Sequence, residues 1–273
     1  MDIYESIRNF YERVKTEKRV IGKSVLGRSI FAVKIGRGNP VGIATYAIHG
    51  REFITAKLAV AHYAREITGS LWIVPLVNPD GALLSQRGLA SVANKKYRRA
   101  LERFSAQELR LWKANARGVD LNVNFDADWG KGVQNLKTAG AQNYIGEKPF
   151  SEPETLALKN FTQEILPDYT LSYHTKGEEI YWYYYQSLRT CSRDKRLAEV
   201  ISRSTGYPLK RTQGSVGGYK DWCIKKLKIP AFTVEVGDDE LTHPIGEEGL
   251  ENILQKNGDT PRALSEAVAK LYL

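Results

Sequence analysis

The chain has 273 residues, 42% of them hydrophobic, enough for one large core. Forty Lys and Arg against 31 Asp and Glu give a net charge of +9, which suits an anionic partner: nucleic acid, a membrane surface or an acidic small substrate. Zinc-finger spacing, an RNA-binding strand motif, an apolar run of about 18 residues and paired cysteines (Cys191 and Cys223 stand singly) are all missing. Neither a nucleic-acid nor a membrane partner is therefore expected, nor a disulfide framework.

No linker-like stretch and no fixed-period repeat interrupts the chain, so one domain over residues 1–273 is expected. The first residues, from Met1 to Ser6, lack the basic-then-apolar pattern of a secretory signal, and a cytoplasmic location is the expectation. Residues 2–16 space Ile3, Ile7, Phe10, Tyr11 and Val14 at helical period behind Asp2 as N-cap. Two β-rich runs, 19–26 and 29–35, joined through Gly27-Arg28, predict a hairpin. Residues 41–48 are mostly apolar and stop at His49-Gly50, and 55–67 carry helix formers. The run 71–77 has the look of a strand covered on both faces, ending at Asn78-Pro79-Asp80-Gly81, a turn signal.

The densest basic stretch, Lys95-Lys96-Tyr97-Arg98-Arg99, reads as a solvated helix or loop face. From about 85 to 150 the pattern is irregular, with Trp112, Asn115, Arg117, Asp120 and Asn122 in a polar cluster. Ser151-Glu152-Pro153-Glu154 predicts a helix start, Ser151 capping and Glu154 completing a capping box. Residues 169–174, 180–185 and 229–236 are predicted strands; 197–204 and 262–271 are predicted helices. Strands alternating with helices imply an α/β fold, a mixed, largely parallel sheet flanked by helices. Function gathers where the strands of such sheets end, which is where His49, His174 and Glu235 fall.

Zinc in a hydrolase typically takes three protein ligands and leaves a position for water. His49-Gly50-Arg51-Glu52 sets an imidazole and a carboxylate three residues apart at a strand end, where Gly50 lets the backbone bend so that both reach one ion. Taken alone the spacing is common, and a structural His49 accounts for it equally well. His174 brings a second imidazole to a sheet edge. His62, inside a helical pattern, is expected to be a half-buried helix residue, and His243 a loop residue. Glu235, inside Phe232-Thr233-Val234-Glu235-Val236, would cost several kcal/mol to bury without a partner or a function; the alternative is an edge-strand carboxylate facing water.

In this order, His49-Gly50-Arg51-Glu52, Val77-Asn78-Pro79-Asp80-Gly81, Arg117-Gly118-Val119-Asp120-Leu121-Asn122, Ser151-Glu152-Pro153-Glu154, Ser172-Tyr173-His174, Gly217-Gly218 with Asp221-Trp222, and Phe232-Thr233-Val234-Glu235 resemble the zinc carboxypeptidase family. The resemblance implies one zinc ion held by His49, Glu52 and His174, and Glu235 as the base that takes a proton from the attacking water. It also implies Arg117 as the oxyanion-stabilising arginine, Arg51 lining substrate subsites and Asn122 holding a terminal carboxylate. Two positions depart from the family pattern. Val123 stands where carboxypeptidases carry the arginine that clamps the terminal carboxylate, and Thr212-Gln213-Gly214 occupies the stretch of a tyrosine that closes over substrate.

The wording of residues 112–122 and 174–182 is similar to bacterial γ-D-glutamyl-diaminopimelate peptidases, which cut cell-wall stem peptides. That likeness implies an acidic peptide substrate, and Lys220 aligns with the base of the specificity pocket. Lys220 is expected to pair with an acidic group of the substrate, or else to be an exposed surface lysine. Other readings are a zinc carboxypeptidase on ordinary peptides, a deacylase of N-acyl amino acids on the same fold, and an inactive binding module. The last loses ground because both histidines, Glu52 and Glu235 are all present.

Overall fold

The structure, a computed structural model, describes residues 1–211 and 214–271. Asp2 caps α1 (Ile3–Arg13), its carboxylate accepting from the Glu5 amide, and the helix buries Ile3 and Ile7. The hairpin forms from β1 (Lys18–Lys23) and β2 (Ser29–Gly36), antiparallel and turned through Gly27 at φ +82°. Next come β3 (Val41–Tyr46), α2 (Thr55–Tyr63) and β4 (Ser70–Val74), whose five residues are all buried.

Asn78-Pro79-Asp80-Gly81 is not the expected turn. It opens α3 (Pro79–Arg87): the Asn78 side chain accepts from the Gly81 amide, and Pro79 sits in the first turn, where its missing N–H costs nothing. The irregular middle contains only short helices, α4 (Lys95–Leu101) and α5 (Ala106–Arg110).

At α6 (Pro153–Ile165) the predicted capping box is absent. The helix starts after Glu152, and Ser151 donates to the Glu152 carboxylate. Glu154 reaches away from its own helix to accept from the Val25 amide at 3.0 Å. A tertiary partner outcompeted the local cap.

The chain continues through β5 (Tyr169–His174), β6 (Glu179–Tyr183), α7 (Leu188–Thr205), β7 (Leu209–Arg211) and α8 (Tyr219–Trp222). It closes with β8 (Ala231–Glu235), α9 (Leu250–Asn257) and α10 (Thr260–Ala269). Helix α7 begins well before residue 197 because Ser187 caps a polar first half that no apolar period announces.

The sheet order is β1-β2-β4-β3-β5-β8-β6-β7. Strands β4, β3, β5 and β8 run parallel at its centre, with antiparallel pairings at β1–β2, β2–β4 and β6–β8. Alternation along the strands separates two cores. Ala44, Ile73 and Leu171 pack with Leu58 of α2, Ile201 of α7 and Leu264 of α10, whereas Ile43 and Trp72 pack with Phe161 of α6 and Trp222 of α8. Helices thus cover both faces, and parallel strands deliver their carboxyl ends to one edge. No described helix is long and apolar enough to cross a membrane.

His62 is a fully buried core residue rather than a half-buried one. Its Nδ1 accepts from the Tyr46 hydroxyl at 2.6 Å, and Nε2 donates to the Asn257 carbonyl at 2.9 Å. Burial pushes its pKa down from 6.5 to about 4. The unfolded chain binds that proton first, so stability falls as pH drops from 6.5 toward 4, by about 3 kcal/mol for a full shift. In His62→Gln, the melting temperature is expected to depend less steeply on pH across that window. Parallel curves for parent and variant would assign the acid sensitivity to other groups.

Candidate metal centre and active-site cavity

Three chain segments converge at the carboxyl ends of β3, β5 and β8. After β3 the backbone runs through His49 into a short 3-10 turn, Gly50–Glu52. Gly50 is required by close packing rather than by an unusual φ: a Cβ there would meet the Gly81 carbonyl at 2.4 Å. The Gly50 amide donates to the Lys113 carbonyl and the Arg51 amide to the Trp112 carbonyl, which fixes this turn against residues 112–113. His174 ends β5, directly paired in register with Glu235 at the end of β8.

The side chains of His49, Glu52 and His174 are buried, with ligand atoms within 4.8 Å of one another. His49 Nδ1 lies 2.8 Å from Glu52 Oε1, and His174 Nδ1 lies 3.1 Å from Glu52 Oε2. The two Nδ1 atoms are 3.2 Å apart and point at the same volume. On the far side of its ring, His49 Nε2 meets Asp120 Oδ1 at 3.3 Å, and the Thr175 amide donates to Glu52 Oε2. A carboxylate behind a ligating imidazole is the usual way to fix its orientation and raise its basicity.

Burial opposes charge on His49, but the Glu52 and Asp120 carboxylates outweigh it and lift its pKa to about 9. Glu52, despite its burial, is held well below the usual carboxylate range by the two histidines. The cluster therefore draws positive charge to itself. Two imidazoles and a carboxylate converging on one point are a donor set that suits a divalent cation with a preference for nitrogen, zinc foremost. Burial, and then the Glu52 charge, push Glu235 up to about 8. A divalent charge among the ligands would oppose that shift and favour the carboxylate form.

A cavity of about 250 Å³ opens over this cluster, lined by His49, His174, Glu235, Asn122, Lys113 and Lys220 among others. Asn122 Oδ1 accepts from the Tyr219 amide at 3.2 Å, and this tethers the asparagine to the cavity wall. Lys220 is not a surface lysine: it is 6% exposed, 2.6 Å from Asp221 Oδ1, and donates to the Tyr183 carbonyl. Arg51 is partly exposed, with a buried Nε that has no partner among the described residues. His243 hydrogen-bonds Thr175, the residue after His174. Thr212 and Gln213, where the closing tyrosine is missing, lie outside the described residues.

Two expected residues, Arg51 and Arg117, are not among those that line this cavity. Arg117 points to the other side of its loop, 3.6 Å from Glu152 and 45% exposed. The turn Asn115–Gly118 is the cause: the amides of Arg117 and Val119 both donate to Asn115 Oδ1, and Gly118 takes φ +75°. Besides Lys220, the cation that faces the cavity is Lys113, whose charge acts to lower the pKa values of His49, Asp120, His174 and Glu235. Sequence reasoning gave no role to Lys113 or Asp120. Their signal was limited to proximity, in Trp112-Lys113 and Asp120-Leu121-Asn122.

A zinc carboxypeptidase family model matches residues 3–257. The chain is 32% identical to gamma-D-glutamyl-L-diamino acid endopeptidase 1 of Lysinibacillus sphaericus, over 93% of this chain and 66% of that protein. It is 28% identical to murein peptide amidase A of Escherichia coli, over 81% of this chain and 83% of the relative. In fold it is similar to bovine thrombin-activatable fibrinolysis inhibitor, solved with a tick carboxypeptidase inhibitor, at a TM-score of 0.79, 19% identity and coverage of 99% and 98%. The chain spans a little under two thirds of the length of the first of these relatives, and the family model covers most of the chain, so the chain belongs to the zinc carboxypeptidase family.

Proposed function

We propose that this chain is a single catalytic domain that hydrolyses an amide bond in an acidic cell-wall (murein) peptide, of the γ-D-glutamyl-diaminopimelate kind. The observation that carries the substrate class is Lys220, a buried ammonium that lines the cavity of the metal cluster and is oriented there by Asp221. A buried cation facing a substrate cavity favours a carboxylate there. Relatives named for murein peptides and for γ-D-glutamyl-diamino acid substrates support the same class.

In this reading His49, Glu52 and His174 hold one zinc ion. Bound zinc supplies Lewis acidity, making water more acidic and a carbonyl more electrophilic. Glu235 accepts the proton of the attacking water and passes it to the leaving amine. Lys113 faces the oxygen that becomes negative when the carbonyl is attacked, the role expected of Arg117. Asn122 and Lys220 orient acidic groups of the substrate, and Arg51, on the turn between His49 and Glu52, meets the part of the chain before the scissile bond. Val123 leaves the terminal carboxylate without an arginine clamp, so strict C-terminal action is not required.

The test is a peptide panel: γ-D-Glu–diaminopimelate, C-terminal aromatic and C-terminal basic substrates, with and without a chelator. The first is expected to have the highest kcat/KM, and the chelator to abolish turnover. Lys220→Ala is expected to lower kcat/KM on the diaminopimelate peptide by about 10–100-fold, the range for losing a charged hydrogen bond, while sparing neutral substrates. Preference for the aromatic peptide, or an unchanged rate in Lys220→Ala, would refute the substrate assignment.

A further inference from the structure

A larger cavity, about 500 Å³, lies on the opposite side of the 112–117 segment from the metal cavity. We propose that it binds a small dicarboxylate with an aromatic or apolar body, at a site separate from the peptidase centre.

Its floor is apolar, built on the buried side chains of Leu101, Trp112 and Val119, and its walls carry the partly buried rings of Tyr97, Phe104 and Tyr144. This volume falls within the range of pockets that enclose small organic molecules. Around the opening stand Lys96, Arg103, Arg117 and Lys148. The two carboxylates of the lining do not balance them. Glu152, at the floor, is already engaged by Asn115 Nδ2 at 2.7 Å and by the Ser151 hydroxyl, and Glu147 is exposed.

The rim cations lack the partners that lysines elsewhere have found. Lys225 and Lys226 sit 2.6 and 2.8 Å from Asp128 and Asp126. By contrast, Lys96 lies over the Tyr97 ring and Arg103 donates to the Ala139 carbonyl. Neither of these, nor Lys148, meets a carboxylate among the described residues. Arg117 lies 3.6 Å from Glu152 and also hydrogen-bonds Tyr97, so it is the best held of the four. Lys96, Arg103 and Lys148, positive charges around one concavity that meet no carboxylate among the described residues, repel one another, and an anion relieves that repulsion. Two carboxylates can be shared between the Arg117 fork and the lysines, while an aromatic body stacks among the tyrosine and phenylalanine rings. The basic run beginning at Lys95 thus acquires a use: α4 turns Lys96 and Tyr97 toward this cavity.

Isophthalate is a suitable probe and isophthalamide its neutral counterpart, titrated calorimetrically into the zinc-loaded protein. Isophthalate is expected to bind and isophthalamide not to. The double variant Lys96→Ala/Lys148→Ala, changed only at exposed side chains, is expected to bind isophthalate about ten-fold more weakly or worse. Lys220→Ala, changed in the metal cavity, is expected to bind it like the parent. Equal affinity for the amide, parent-like affinity in the double variant, or loss of binding in Lys220→Ala would each overturn the proposal.

Discussion

Glu235→Gln is expected to retain zinc at the parent's stoichiometry and to lose about 10²–10⁴ of kcat, the span of general base catalysis. The substitution keeps the shape and polarity of the side chain but replaces a basic carboxylate with an amide too weakly basic to take a proton. Glu235 is not among the ligand atoms, so the metal cluster of His49, Glu52 and His174 is left intact. Its place at the end of β8, in register with His174, holds the carboxylate over the same volume that the ligands face. Metal content and single-turnover rates on the diaminopimelate peptide measure the two effects separately. A zinc-loaded variant that turns over near the parent rate would remove Glu235 from the chemistry.

What could be read in the sequence follows from how each residue is determined. His174 and Glu235 sit at the ends of short apolar strands, and a period-two pattern with an abrupt polar end is a local signal. The structure keeps β5 at residues 169–174, as expected, and ends β8 at Glu235 itself. The cap at Ser151 failed because Glu154 has a better partner far away in sequence, the Val25 amide, and no local motif encodes that choice. Asp120 was visible only as part of a motif. Its role depends on where the His49 ring turns, which is a property of the assembled turn. The tether between Gly50 and the Lys113 carbonyl is similarly non-local, so nothing near position 113 marks it as facing the metal cluster.

Residues Lys113 and Arg117 line different cavities, and they give the second large expected effect. Both are cations on one loop, and the family resemblance implied Arg117 for the oxyanion, a charge that a guanidinium suits. The Asn115 side chain, however, gathers the amides of residues 117 and 119 and folds the loop so that the two cations face different cavities. Lys113→Met, which keeps the aliphatic stem and deletes the charge, is expected to lower kcat by about 10²–10³, as for loss of an oxyanion donor. Arg117→Ala is expected to stay within a few-fold of the parent on the same peptide. Because Lys113 depresses the pKa of Glu235, its loss is also expected to move the acidic limb of the kcat/KM profile upward. A merely structural role for Lys113 would lower the rate without that movement. A large loss in Arg117→Ala beside a near-normal Lys113→Met would return the oxyanion role to the arginine, and would require the Asn115–Gly118 turn to rearrange when substrate binds.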